Sequence, residues 1–139
     1  MKLILLLLVI LACITQQINA ASPEEEQKFV TAVKSAFAKK DPAALAALTC
    51  WDRVPDNLKQ RQLKGYASEM KWEANEVSLT KPEQPDQEWK DKNGVSFKFN
   101  LTITKWLRPS FPAEAHLKIW HSVGEKDGKL FIAAPAPVQ

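Results

Sequence analysis

Cysteine and glycine are scarce in this sequence, and their scarcity excludes several kinds of functional site. Of 139 residues, only two are cysteine and only four are glycine. Structural zinc sites are usually built on cysteine pairs, and phosphate-binding loops need several glycines in a short stretch. The G-x-S-x-G, P-loop and H-E-x-x-H patterns are also absent from the sequence. We therefore expect no metal and no cofactor.

Long hydrophobic runs are absent too, apart from one at the N-terminus. The chain begins MKLILLLLVILACITQQINAASP, in which Lys2 precedes the apolar run 3–12 and small residues follow. This is the build of a secretory signal peptide, and the run is about half of the ~20 residues that a transmembrane helix needs. We predict cleavage after Ala20, giving a periplasmic or secreted protein with no membrane span. Lipoprotein processing at Cys13 is the alternative.

No strong charge of one sign remains after this cleavage. The 119 residues left (139 − 20) carry 18 Lys and Arg against 16 Asp and Glu, because only Lys2 is removed. Such a balance, with the two signs interspersed, disfavours nucleic-acid binding. Cys50 would be the single remaining cysteine, which excludes an intramolecular disulfide. The length fits one domain, predicted at 21–135 with a loose tail at 136–139.

Capping signals and hydrophobic spacing predict three helices in the first half of the chain. The first begins at Ser22, the second at Asp41 and the third at Pro55, and the third extends through Lys71. Apolar residues of the first helix recur at three- and four-residue spacing: Phe29, Val30, Val33 and Phe37. Each helix therefore has one apolar face available for packing.

After residue 71 the hydrophobic period changes from 3.6 to 2, which indicates strands. The predicted strands lie around 77–79, around Trp89, at 95–106, at Ala115–Val123 and at Lys129–Ala134. The stretch 95–106 (VSFKFNLTITKW) alternates throughout and is predicted as one strand, followed by a proline-rich crossing at 107–113. The loop GEKDG joins the last two strands. N-terminal helices packed on a curved antiparallel sheet of about four strands give an α+β fold.

This order of elements resembles a known superfamily. Helices first, then a long alternating strand and a final strand pair reading VGEKDGKLFIAAP, are similar to the nuclear transport factor 2-like (SnoaL-like) superfamily over residues 22–135. The resemblance implies a bent sheet wrapped around a helix as a cone with an apolar pocket. Members include isomerases, hydratases and binding modules, and the chain looks most similar to small exported bacterial proteins of uncharacterised function. The resemblance implies a fold and no particular reaction.

The two histidines, His116 and His121, are five residues apart on a predicted strand. An odd separation puts them on opposite faces, so the sequence predicts no metal site shared by the two. His121 has the phase of Leu117, Ile119 and Val123 and should face the core or the pocket. There it is either a general base or ligand contact, or a half-buried structural histidine. His116 should be solvated.

An acid to assist His121 is hard to find in the sequence. The inward positions of the long strand are all aliphatic or aromatic, which disfavours acid–base catalysis there. The catalytic candidates are Asp52, Tyr66 and His121, and a local cap or an ion pair with Arg53 is the alternative role of Asp52. Cys50 is predicted to be a buried inert thiol rather than a nucleophile. The residues predicted to line the ligand pocket of the cone are Phe97, Phe99, Leu101, Ile119 and His121.

Five tryptophans are many for a chain of this size. Trp106 and Trp120 fall in the outward phase of their predicted strands, beside Lys118, and large apolar groups rarely stay in water. These three residues are a predicted partner surface, used for a homodimer through the outer sheet face or for another partner; coverage by segment 107–113 is the alternative. We expect non-catalytic binding of a small apolar ligand or a protein partner in the cell envelope. The alternative is a metal-independent isomerase or dehydratase with an acid–base pair in the cone.

Overall fold

The computed structural model describes residues 21–84 and 87–139 of the chain. The predicted cleavage after Ala20 and the alternative processing at Cys13 lie outside these residues. Within them, no helix is long and apolar enough to cross a membrane. The described residues form an α+β fold, as predicted, with three helices and a curved antiparallel sheet of four strands.

The described residues form three helices, and the first two begin directly after a residue whose side chain caps them. They are α1 Pro23–Ala38, α2 Pro42–Ala47 and α3 Asp56–Glu69. The Ser22 hydroxyl accepts a hydrogen bond from the amide of Glu25 (3.2 Å). The Asp41 carboxylate accepts the amides of Ala43 and Ala44 (3.1 and 3.3 Å). Such caps contribute on the order of 1 kcal/mol each, because these amides have no partner inside the helix.

The main sheet packs against the helices to make the core. The strands of the described residues are β1 Glu76–Thr80, β2 Trp89–Lys90, β3 Ser96–Phe99, β4 Ile103–Ser110, β5 His121–Lys126, β6 Lys129–Ile132 and β7 Pro135–Pro137. Four of them form the antiparallel main sheet in the order β1–β4–β5–β6. The core draws fully buried side chains from helices and sheet alike: Val33, Leu45, Tyr66, Leu107, Val123 and Ile132. Each such side chain contributes roughly 1.5–3 kcal/mol by leaving water.

A second, small sheet has three antiparallel strands in the order β2–β3–β7. Residues 135–137 form its β7 and pair with β3, and the amide of Val138 donates to the carbonyl of Ser96 (2.9 Å). The predicted loose tail at 136–139 is therefore wrong. The tail is held because its backbone groups complete the hydrogen bonding of β3.

The predicted single strand at 95–106 is also wrong, because the stretch is divided between the two sheets. Asn100 lies at the division and uses its side chain to fix it. Its Nδ2 donates to the carbonyls of Cys50 (2.8 Å) and Asp52 (3.0 Å), and its Oδ1 accepts the amide of Ala134 (3.0 Å). These bonds join the loop after α2 to the start of β7, so the chain leaves one sheet and enters the other at this residue.

The region between β4 and β5 differs from its prediction as well. Part of the predicted crossing 107–113 continues β4 as far as Ser110. A 3-10 turn at Pro112–Glu114 follows, so the predicted strand Ala115–Val123 begins only at β5. The hairpin turn is shorter than GEKDG: only Asp127 and Gly128 lie outside the strands, with φ of 53° and 76°. Positive φ at both positions matches the tight turns preferred in hairpins.

Candidate functional site

An open groove of about 680 Å³ lies along β4 and the segment that connects β4 to β5. We call it the tryptophan groove and define it by Trp106, Arg108, Leu117, Lys118, Ile119 and Trp120, which line it together with neighbouring residues. All three residues of the predicted partner surface, Trp106, Lys118 and Trp120, belong to this lining. The structure thus brings them together, although residues 115–120 are not a strand.

Two stacked tryptophans form the aromatic part of the groove. The ring centroids of Trp106 and Trp120 are 5.4 Å apart, with 25° between the ring planes. Trp120 is 50% exposed, whereas Trp106 is only 8% exposed. The expectation that both rings are exposed is therefore wrong for Trp106. β4 is buried on both sides here, since the next residue, Leu107, lies in the main core and Trp120 covers the other side.

The charges at the groove are partly matched. The Arg108 guanidinium lies 5.2 Å from the centroid of the Trp106 ring and donates to the Glu83 carboxylate (3.1 Å). A cation over an indole ring contributes on the order of 0.5–1 kcal/mol at such exposed sites. Lys118 has no ion-pair partner among the residues the structure describes. The groove therefore combines aromatic and aliphatic side chains with one ion pair and one unmatched cation.

The five residues predicted to line one pocket lie in different places. Ile119 lines the tryptophan groove. Phe97 lines a second cavity, and Phe99 and Leu101 line a third of about 320 Å³. His121 lines none of these three cavities. None of these three cavities, all formed by described residues, therefore brings the five residues together.

His121 is paired with an acid that the sequence analysis missed. Its Nε2 lies 2.9 Å from Oε2 of Glu69, the last residue of α3. His121 is 8% exposed, and the Glu69 side chain is 11% exposed. The predicted inward orientation of His121 is confirmed. Glu69 follows Tyr66 by three residues on α3, so helical spacing places the two on one face and was the available signal.

Tyr66 belongs to the same buried polar cluster. Its ring meets the His121 ring edge-on, with 5.6 Å between centroids. Its hydroxyl is 2.7 Å from the Thr49 hydroxyl, which itself donates to the carbonyl of Leu45 (2.9 Å). Because the one Thr49 proton is used there, the Tyr66 hydroxyl is the donor between the two. Burial raises the pKa of Tyr66, so the neutral phenol is the stable form.

Asp52, the third catalytic candidate, lies elsewhere. Its carboxylate is exposed and accepts a hydrogen bond from the ammonium of Lys126. This hydrogen bond and the charge of Lys126 lower the pKa of Asp52. The charge of Arg53, the ion-pair partner that the sequence analysis suggested, lowers the pKa of Asp52 less than Lys126 does. Cys50 is a buried free thiol that lowers the pKa of Asp52 less than Lys126 does, and His121 is bonded to Glu69 rather than placed beside this thiol.

The histidines have separate surroundings. His116 is largely exposed, and its Nε2 lies 3.4 Å from the carboxylate of Glu114. His121 is buried against Glu69. Within residues 21–84 and 87–139, no group of three or more His, Cys, Asp or Glu side chains is arranged to hold a metal ion.

Comparison with known proteins provides no relative: no family model, no curated protein and no solved structure matches this chain. The resemblance to the nuclear transport factor 2-like superfamily therefore stays a prediction.

Proposed function

We propose that this protein is an exported, non-catalytic domain that binds a small apolar ligand in the tryptophan groove. The observation that carries the proposal is the half-exposed indole of Trp120, stacked on a buried one and set in a concave surface. A rigid ring held in this way needs no rearrangement to receive a ligand, so little ordering entropy opposes binding.

The size of the groove favours a small molecule over a protein as its occupant. Cavities of about 300–1,000 Å³ are typical of small-ligand sites, and the groove of about 680 Å³ falls within that range. The exposed half of an indole amounts to roughly 100 Å², which corresponds to about 2.5 kcal/mol when a ligand covers it. The aliphatic side chains of Leu117 and Ile119 extend the apolar surface beside it.

Binding of an uncharged apolar fluorescent probe tests this proposal. The protein is expressed from its full-length sequence, and N-phenyl-1-naphthylamine is titrated into the wild type, Trp120→Ala and Trp72→Ala. Trp72 is also exposed but does not line the groove, which makes it the matched control. We expect Trp120→Ala to weaken binding by about tenfold or more, with no change in Trp72→Ala. Equal effects of the two variants would contradict the proposal.

Native mass spectrometry and sedimentation of the same protein identify other occupants. A co-purified molecule of small mass supports the proposed function, and the measured mass also reports cleavage after Ala20. A stable dimer that Trp120→Ala dissociates would replace the small ligand with a second copy of the chain. Sedimentation as a monomer would contradict the predicted homodimer.

A metal-independent acid–base enzyme is the second candidate, favoured by the 2.9 Å contact between His121 and Glu69. A carboxylate that orients a histidine is the usual support of a general base. The Tyr66 ring packs edge-on against the same imidazole. Ligand binding remains the better supported function because His121 is nearly fully buried. Proton exchange from D2O into a panel of carbonyl compounds, followed by NMR, tests catalysis. Exchange that His121→Gln abolishes would establish the enzyme, and its absence would exclude it for that panel.

A further inference from the structure

Another cavity, of about 590 Å³, lies between α3 and the small sheet. We call it the α3–β3 cleft and define it by Asn57, Arg61, Trp89, Lys92, Asn93 and Phe97, which line it together with neighbouring residues. Its lining combines aromatic rings, amides, two cations and the carboxylate of Asp91.

An aromatic platform forms one side of the cleft. Trp89 lies on β2 opposite Phe97 of β3, and their rings stack with 6.4 Å between centroids and 25° between planes. Phe99 supports the same indole at 5.4 Å. Trp89 nevertheless remains 38% exposed. The indole is thus fixed in position by its neighbours while part of its surface stays open to a ligand.

Polar side chains without partners surround this platform. Asn57 and Arg61 are one turn apart on α3, so they project from the same side of the helix. Asn93 lies in the loop between β2 and β3. Among the described residues, none of these three side chains has a hydrogen-bond or ion-pair partner. Two amides and a guanidinium are therefore available to a ligand.

The loop that carries Asn93 is fixed by its own hydrogen bonds. The Asp91 carboxylate accepts the amides of Asn93 (2.8 Å) and Val95 (2.9 Å), and Gly94 takes the positive φ of 81° that the turn requires. The Asp91 carboxylate also lines the cleft and keeps its negative charge. Arg61 and Lys92 outnumber it, so the lining carries one net positive charge.

We propose that the α3–β3 cleft binds a short acidic oligosaccharide. The C–H faces of a sugar ring are apolar and pack flat on an indole, whereas its hydroxyls need donors and acceptors at the edge, which Asn57 and Asn93 provide. A sugar carboxylate matches the planar fork of Arg61, whose N–H groups bind carboxylates in pairs. This inference is independent of the tryptophan groove, because the two cavities have no residue in common.

Isothermal titration with two matched saccharides tests the inference. Trigalacturonate is the acidic probe, and α-1,4-galactotriose, which has the same linkage and sugar configuration without the carboxylates, is the neutral one; each is added to the protein expressed from its full-length sequence. We expect trigalacturonate to bind at least tenfold more tightly than the neutral trisaccharide. Trp89→Ala should abolish binding of both, and Arg61→Gln should weaken only the acidic probe. Lys64→Gln, on the same helix outside the cleft, and Trp120→Ala, in the groove, are the controls and should have no effect.

A measurement on the wild type covers the case in which Trp89→Ala fails to fold. The five tryptophans give separate indole N–H signals in NMR, and the conservative variant Trp89→Phe assigns that of Trp89. The trisaccharide should shift the Trp89 signal and leave that of Trp120 in place. Absence of any shift, equal binding of the two saccharides, or the same loss in Lys64→Gln and Arg61→Gln would overturn the inference.

Discussion

The main sheet and the small sheet use their apolar residues in different ways. Leu107, Val123 and Ile132 of the main sheet are completely buried against the helices. In the small sheet, Phe97 is half-buried and Trp89 is exposed, because a cleft separates them from α3. We infer that the main sheet supplies most of the folding free energy, while the small sheet keeps aromatic surface accessible.

The same contrast appears within β4 itself. Leu107 packs into the main core, and its neighbour Trp106 lies on the groove side beneath Trp120. Both candidate ligand surfaces are therefore aromatic surfaces that lie outside the main core. The buried polar cluster of Glu69, His121 and Tyr66 is instead enclosed by it, which separates the surfaces suited to binding from the residues suited to proton transfer.

Truncation of one apolar side chain in each sheet tests the contrast directly. Leu107→Ala should lower the free energy of unfolding by about 3 kcal/mol, within the 2–5 kcal/mol usual for buried leucine. Phe97→Ala, although it removes more atoms, should cost about 1–2 kcal/mol because its site is already partly hydrated. Urea unfolding measures both. Equal losses would show that the small sheet is as important for stability as the main one.

The junction between the sheets should be nearly as sensitive as the core. Asn100→Ala removes three hydrogen bonds and leaves the carbonyls of Cys50 and Asp52 and the amide of Ala134 without their partner. We expect a loss of about 2 kcal/mol, since unsatisfied polar groups cost roughly 1–3 kcal/mol when buried. Asn75→Ala, at an exposed asparagine, is the control and should be neutral. Faster hydrogen exchange at Ala134 in the Asn100 variant would locate the damage at the junction.

Local signals account for the parts of the fold that the sequence predicts. Ser22 and Asp41 act within four residues of the amides they cap, so their effect can be read from neighbours in the chain. The division at Asn100 cannot be read in this way, because its partners are 34 to 50 residues distant. The alternation of apolar and polar residues continues past Asn100, so the sequence pattern shows no break there. Only the tertiary hydrogen bonds of Asn100 reveal that the stretch is divided between two sheets.

The candidate sites follow the same rule. His121 is correctly predicted to face inward, but its partner Glu69 lies 52 residues away on a helix. The stacking of Trp106 on Trp120 depends on the turn at 112–114, which the strand prediction for residues 115–123 did not include. Residue type thus identified the candidate side chains in the sequence. Which of them contact each other depends on the tertiary structure.

Tyr66 links the buried cluster to stability at high pH. Its folded pKa is raised above the usual value near 10, so folding favours the neutral phenol. Below pH 10 the phenol is protonated in both the folded and the unfolded state, and the contribution of Tyr66 to stability is fully present. As the pH rises through the unfolded pKa towards the folded one, the unfolded chain ionises first, and the free energy of unfolding falls. Tyr66→Phe should cost about 1 kcal/mol at neutral pH through the lost hydrogen bond to Thr49.

The stability of Tyr66→Phe should also fall less steeply above pH 10 than that of the wild type, because the variant has no phenol to ionise. Tyr66 is the only tyrosine of the chain, so phenolate absorbance reports its ionisation without interference. All other ionisable groups are the same in both proteins, so the difference between their two curves of stability against pH isolates the contribution of Tyr66. Identical curves above pH 10 would mean that the phenol is not held neutral by the fold.

The smallest effect is expected at the exposed pair of Asp52 and Lys126. The pKa of Asp52 is lowered, so its contribution exists above the unfolded pKa and disappears as pH falls through the folded one. The pKa of Lys126 is raised, so its contribution exists below the unfolded pKa and disappears as pH rises through the folded one. A double-mutant cycle of Asp52→Asn and Lys126→Gln should therefore give a small coupling at neutral pH that weakens in salt. A coupling that persists in high salt would indicate that the pair is buried. Asp52 would then again be a candidate catalytic acid, a role that its exposed position argues against.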